Sequence, residues 1–228
     1  MSDFWAVVPA AGRGERFGGP RPKQYHPLAG RTVIEWALAP LLQEPRIRRV
    51  VVALTPDDGH WTRLALSDDE RVRAVAGGAE RSGSVWNALR ALSGEASASD
   101  WVLVHDAARP CLGAGDLDRL LRDGMADPQG ALLAAPVADT LKREDGEGRV
   151  AATVSRERLW RALTPQLFPL QALREALARQ AGAGRTVTDE AMAMEQAGFR
   201  PRLLSGDPAN IKITIPADLE LARHLLER

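Results

Sequence analysis

Cysteine occurs once in these 228 residues, at Cys111, so the fold has neither an intrachain disulfide nor a cysteine-rich zinc site to draw on. Beside Pro110 it reads as a small buried apolar residue. The four histidines, His26, His60, His105 and His224, are scattered without the spacing that ligates zinc. No apolar run approaches the ~20 residues of a membrane span. The first residues lack the basic start and apolar stretch of a secretory leader, so a cytoplasmic protein without a membrane partner is expected. An excess of one charge is missing too: 30 basic and 30 acidic side chains cancel, which gives no general attraction to nucleic acid. Lysine is scarce among the basic residues, occurring only at Lys23, Lys142 and Lys212. Arginine fills the merely solvating positions, and a compact ammonium is not interchangeable with a planar guanidinium at phosphate, so each lysine is worth following.

What remains is an ordinary globular composition, with 45% hydrophobic and 26% charged residues, in a chain long enough to bury a substantial core. One domain over residues 1–228, with an appendage, is expected. Strand-length apolar runs, Phe4–Pro9, Val50–Leu54, Val72–Val75, Trp101–Val104 and Ala131–Pro136, alternate with amphipathic segments near Val33–Leu42, Gly59–Leu66, Ser84–Leu92 and Asp116–Met125. That alternation predicts an α/β fold: a mostly parallel, Rossmann-like sheet joined by right-handed crossovers, with ligands held beyond the carboxyl ends of the strands. After Val137 the pattern changes. Thr140–Val150 has a turn-rich centre between short extended flanks and predicts a protruding β-hairpin arm over about 137–156. A hairpin standing off a sheet needs a cover, which predicts a homodimer with the arm at its interface or, if it stays uncovered, a flexible surface hairpin. Helices are expected over Leu167–Ala181 and Thr188–Ala197, the latter capped by Thr188, with a late strand at Phe199–Leu204 and a closing helix from Pro216.

Chemistry concentrates at three of the expected strand ends. The segment Val8–Phe17, reading VPAAGRGERF, follows the first strand, and Arg21-Pro-Lys-Gln-Tyr25 comes soon after. Gly12 and Gly14 allow the backbone to turn its N–H groups toward an anion, while Arg13, Arg16, Arg21 and Lys23 outnumber Glu15. The loop is not a dinucleotide fingerprint, since Phe17 stands where the third glycine belongs, nor a Walker A loop, since Pro20 replaces its lysine. It reads as a cradle for a small polyanion such as a triphosphate, or as a plain Gly-rich turn with solvated arginines. Asp106 ends the strand Trp101–Val104 at the same edge and is a candidate ligand for the Mg²⁺ that accompanies a triphosphate, or a cap for the turn at Ala107 and Ala108. His105 faces the opposite side of an extended strand and forms no catalytic pair with it. Gly77-Gly-Ala-Glu-Arg-Ser-Gly-Ser-Val85 brings small residues and hydroxyls toward a base or ribose, or is a helix start capped by Ser82.

The blocks PAAGRGERF, RPKQY, GGAERSGSV and VHDAARP, with Asp139-Thr-Leu-Lys-Arg143, Ala162-Leu-Thr-Pro-Gln166, Thr188-Asp-Glu190 and Asn210-Ile-Lys-Ile-Thr214, resemble the 2-C-methyl-D-erythritol 4-phosphate cytidylyltransferase family, in order and over nearly the whole chain. Ala79 and Ala209 stand where members often carry an acidic residue. The resemblance implies transfer of a cytidylyl group from CTP to 2-C-methyl-D-erythritol 4-phosphate with release of pyrophosphate, with Mg²⁺ on Asp106; the competing readings are a cytidylyltransferase for another polyol phosphate such as ribitol 5-phosphate and a regulatory module that holds CTP without turnover. The resemblance assigns Arg16 and Lys23 to the developing charge and Arg156 and Lys212 to the reacting acceptor. Ala10, Ala11, Gly12, Gly78, Arg81, Ser84, Asp106 and Ala107 would surround the nucleotide. Arg109, Thr140, Arg156, Thr164, Thr188 and Lys212 would hold the methylerythritol phosphate, Thr140 and Arg156 reaching across a homodimer.

Overall fold

A computed structural model of the chain describes residues 2–12, 17–182 and 186–227. In chain order its strands are β1 (Phe4–Pro9), β2 (Pro27–Leu28), β3 (Arg31–Thr32), β4 (Ile47–Leu54), β5 (Val72–Ala76), β6 (Trp101–Val104), β7 (Ala131–Pro136), β8 (Leu141–Glu144), β9 (Val150–Val154), β10 (Trp160–Pro169) and β11 (Arg202–Ser205). The helices are α1 (Val33–Gln43), α2 (Arg81–Ala91), α3 (Ala114–Arg119), α4 (Leu170–Gly182), α5 (Glu190–Gln196) and α6 (Pro216–Leu226).

Seven strands form the central sheet in the order β11-β7-β10-β6-β1-β4-β5. All neighbours are parallel except at β10, which runs antiparallel to both β6 and β7. The expected mostly parallel α/β sheet is present. Strands β1, β6 and β7 are apolar on both faces because both are covered. Along β1, Phe4, Ala6 and Val8 pack with Ile34, Ala37, Leu38 and Leu41 of α1. The intervening Trp5 and Val7 join Val85, Ala88 and Leu89 of α2 and Leu173, Ala176 and Leu177 of α4 on the other side. Thr32 caps α1 in a reciprocal box with Glu35, whose carboxylate accepts from the Thr32 backbone N–H at 2.7 Å. No helix among the described residues is long and apolar enough to cross a membrane.

The arm is present as β8 and β9, an antiparallel pair separate from the main sheet and largely exposed. Other expectations need correction. Gly59–Leu66 forms no α-helix; Trp61–Arg63 and Ala65–Asp68 are short 3₁₀ turns. The helix expected at Asp116 starts at Ala114 and gives way to π-type bonding over Leu120–Gly124. The late strand is Arg202–Ser205. The cap of α5 is Asp189, whose side chain accepts from Met192 N, and Thr188 lies just outside the helix. Most consequential is β10, whose last three residues fall where a helix is expected. Pro165 and Pro169 argue against a central strand. The chain accommodates Pro165 where the β10–β7 register breaks between Ala162 and Gln166. Because β10 runs antiparallel, its middle reaches the ligand edge of the sheet, with Gln166 opposite Val104 at the end of β6.

Candidate active site

The ends of β1, β5 and β6 converge on a cleft of about 610 Å³, counting the part open to solvent. That lies in the range of small-molecule sites. Its wall includes all eight residues assigned to the nucleotide, Ala10, Ala11, Gly12, Gly78, Arg81, Ser84, Asp106 and Ala107, together with Lys23 and Lys212. The rim is small for packing reasons as well as access. A Cβ on Gly77 would fall 2.5 Å from that of Ala11, and one on Gly78 2.7 Å from the Gly83 backbone, so the β5–α2 loop can lie this close only with glycine at both positions. Ser84 Oγ accepts from Gly78 N at 3.0 Å and fixes that loop. Its hydroxyl therefore shapes the wall. The cap position of α2 is Glu80, without a side-chain cap bond, and Ser82 lies inside the helix. Gln24 is buried and donates to Ala10 O at 2.7 Å, tying the residues after the loop to the end of β1.

Asp106 is the electrostatic centre. Oδ1 lies 2.9 Å from Arg81 Nε, Oδ2 lies 2.7 Å from Lys212 Nζ, and Arg109 Nε is 3.8 Å from Oδ2. Burial alone would raise its pKa, but the charges of Arg81 and Lys212, with Arg109, outweigh it and hold the carboxyl far below the ordinary carboxylate range. Arg81 shows the converse: burial pulls its pKa down, and Glu190 and Asp106 more than restore it. Arg109 is lowered, burial outweighing its attraction to Asp106. Lys23 Nζ donates to Ile213 O at 3.1 Å on the same wall.

Behind Asp106 lies a chain of buried bonds. Its backbone N–H donates to Thr164 Oγ1 at 3.0 Å, and Thr164 Oγ1 is 3.0 Å from His105 Nδ1, while His105 Nε2 is 3.1 Å from Arg109 O. Arg109 O can only accept, so the neutral ring carries its hydrogen on Nε2 and donates it there, and Nδ1 accepts the Thr164 hydroxyl proton. Burial pushes His105 down to about 4, in keeping with a neutral ring. His105 and Asp106 both lie beyond the end of β6, and with both ring nitrogens engaged within the protein His105 serves architecture.

The residues assigned to the acceptor divide. Lys212 lines the cleft. Arg109 is buried and donates to Asn210 O at 2.7 Å; Thr164 is buried and engaged as above. Arg109 Nε and Asn210 Oδ1 have no hydrogen-bond partner among the described residues. Thr188 is exposed before α5. Thr140 and Arg156 are exposed at the base of the arm, where Arg156 donates to Ala138 O, and neither lines its own chain's cleft. Arg16, together with Arg13, Gly14 and Glu15, lies outside the described residues. Sequence reasoning passes over Gln24, Gln166 and Asn210 as site-building residues. Their signal in the sequence is only that each is an amide inside one of the family blocks.

A family model for 2-C-methyl-D-erythritol 4-phosphate cytidylyltransferase matches residues 4–228. This chain belongs to that family. Curated relatives bearing the family's name include one from Pseudomonas fluorescens, 54% identical over 98% of this chain and 97% of its own, and one from Pseudomonas aeruginosa, 55% identical over 95% and 93%. Among solved structures, a 4-diphosphocytidyl-2C-methyl-D-erythritol synthase superposes with a TM-score of 0.87 at 38% identity, covering 99% of each chain. The family's enzyme from Francisella tularensis gives 0.86 at 32%, covering 98% of this chain and all of its own. Membership makes the chain a cytidylyltransferase, and the α/β sheet around the cleft is the family's own.

Proposed function

We propose that this chain transfers the cytidylyl group of CTP to 2-C-methyl-D-erythritol 4-phosphate, giving 4-diphosphocytidyl-2-C-methyl-D-erythritol and pyrophosphate for isoprenoid precursor synthesis in the cytoplasm. Supporting this reading above all is the cleft that gathers a small-residue rim, Lys23, Lys212, Arg81 and an ionised Asp106 at the carboxyl ends of three strands. An oxygen of the acceptor phosphate attacks the α-phosphorus, the bond to the bridging oxygen of the β-phosphate breaks, and pyrophosphate leaves with that electron pair. A phosphate monoester is already anionic near neutral pH, its second pKa being about 6, so no general base is needed. That agrees with a site whose one adjacent histidine is committed to buried hydrogen bonds.

Two anions must meet, and charge grows on the phosphates in flight. Lys23, with Arg16, neutralises the nucleotide phosphates; Lys212 and Arg156 position the acceptor. Arg109, Thr164 and Thr188 shape its pocket, the first two mainly by holding Asp106 and the β10 bulge. Among the described residues no group of three or more histidine, cysteine, aspartate or glutamate side chains forms a metal cage. An ionised carboxylate beside a triphosphate fits Mg²⁺, which takes oxygen ligands and is commonly held by one or two carboxylates with phosphates and water. Asp106 would hold it, and the ion would supply neutralisation of the phosphate charge.

The chain works as one nucleotidyltransferase domain over 1–228, and as a homodimer. Val150, Leu159 and Trp160 are 65%, 38% and 38% exposed on and beside the arm, an apolar set that a second copy covers. Thr140 and Arg156 then serve the neighbouring subunit's cleft. The test is pyrophosphate release with CTP and Mg²⁺, using methylerythritol phosphate, ribitol 5-phosphate or no acceptor. Release dependent on methylerythritol phosphate supports the proposal. Release with ribitol phosphate alone would make the chain a cytidylyltransferase for that polyol phosphate instead, and silence with every acceptor while CTP binds would make it a regulatory module that holds CTP without turnover.

A further inference from the structure

Glu190 is the least exposed charged residue bordering the site, at 1%, and the family blocks give it no role. Its two oxygens accept from Arg81 Nη1 at 2.7 Å and from Nη2 at 2.9 Å, a two-pronged grip that leaves Arg81 Nε aimed at Asp106 Oδ1, 2.9 Å away. The carboxylate is itself held in place. It opens α5, where a negative charge suits the helix N-terminus. That first turn is fastened to β10 through buried Gln166, whose Oε1 accepts from Ala191 N at 2.8 Å and whose Nε2 donates to Asp189 Oδ2 at 3.0 Å.

An arginine at the edge of a triphosphate site has an obvious competing use, because its fork fits phosphate oxygens as well as carboxylates. Arg81 lines the cleft, yet three of its five N–H groups are committed to Glu190 and Asp106. Without Glu190 it would be free to swing onto the nucleotide phosphates and leave Asp106 Oδ1. We propose that Glu190 is a positioning residue for the transfer: it grips Arg81 so that the guanidinium orients Asp106 and stays off the phosphates. The inference rests on the cleft being the transfer site.

The test is Glu190→Gln in the full chain, with kcat and KM measured by pyrophosphate release and CTP affinity by calorimetry. The amide keeps the size and one acceptor but loses the charge and one prong. The expected kcat falls on the order of 10²-fold, the loss an ångström-scale misplacement of a reacting group produces, while CTP binds as tightly as to wild type or several-fold tighter. In an Asp106→Asn background the same substitution has little further effect on kcat, because the residue it acts through is already lost. A merely structural role predicts multiplicative losses and weaker CTP binding, and that pattern would overturn the proposal. If Glu190→Gln does not fold, Arg81→Lys, which keeps the charge and loses the fork, carries the same test with the same expected split. An inactive wild type would instead overturn the reading of the cleft; an active wild type with unaffected variants would overturn this inference alone.

Discussion

Replacing Asp106 with asparagine keeps the side chain's shape and removes its charge. In the native cluster three cations, Arg81, Arg109 and Lys212, face two carboxylates, Asp106 and Glu190; in the variant they face Glu190 alone. The asparagine oxygen can accept from Arg81 or from Lys212 but not both, since the amide nitrogen then meets the other cation. Breaking a buried pair from one side costs about 3–5 kcal/mol. The Lys212 side chain is 38% exposed, so solvent screens that arm, and the lower end, ~3 kcal/mol, applies. For a chain of this size that lowers Tm by roughly 6–12 °C. The pH dependence follows from the direction of the shift. In the fold Asp106 is held well below its ordinary 3.8, so its contribution is complete above that value and is lost only as pH falls toward the folded one. Urea denaturation of both proteins between about pH 5 and pH 8 therefore gives a constant difference, which shrinks in stronger acid. Equal stability, or a gap that widens on acidification, would refute the charge assignment.

Three further outcomes are expected. Lys23→Ala lowers kcat by a factor on the order of 10²–10³ while CTP still binds measurably by calorimetry, since the lost charge acts mainly on developing negative charge; an unchanged kcat would remove Lys23 from that role. Inactive Arg156→Ala and Asp106→Ala subunits, mixed and allowed to exchange, recover about a quarter of wild-type activity, because half the dimers are mixed and each has one intact site. No recovery despite exchange shown by mass spectrometry would confine the arm to its own subunit. Cys111, half-buried with its thiol pushed by burial from 9.0 to about 11, reacts with a thiol reagent near pH 8 roughly a hundredfold more slowly than an exposed cysteine, for want of thiolate; a rate like that of a free thiol would contradict the burial.

The parts of this molecule legible in the sequence are those whose signal is local. Strand β1 and its small-residue loop, β6 ending in Asp106, and the turn-rich arm each declare themselves by apolar runs, glycines or charge within a dozen residues. Every residue assigned to the nucleotide therefore falls on the cleft wall. What escaped notice is tertiary. Two prolines disguise β10, and only its pairing with β6 and β7 explains why its middle, not its end, carries Thr164 to the backbone of Asp106. Arg109 and Thr164 look like ligand contacts in a motif, yet most of their polar atoms bond within the protein. Glu190 reads as an unremarkable acid in a first helical turn, and its grip on Arg81 spans 109 positions that no periodicity connects.

The most direct test of the account is the fate of oxygen in a single transfer. With ¹⁸O in the terminal phosphate oxygens of methylerythritol phosphate, CTP and Mg²⁺, phosphorus NMR of the products reads where the label goes. Attack by the acceptor phosphate on the α-phosphorus puts ¹⁸O into the diphosphate bridge of the cytidylyl product and leaves pyrophosphate unlabelled. Label in pyrophosphate, or pyrophosphate without any labelled nucleotide product, would contradict it.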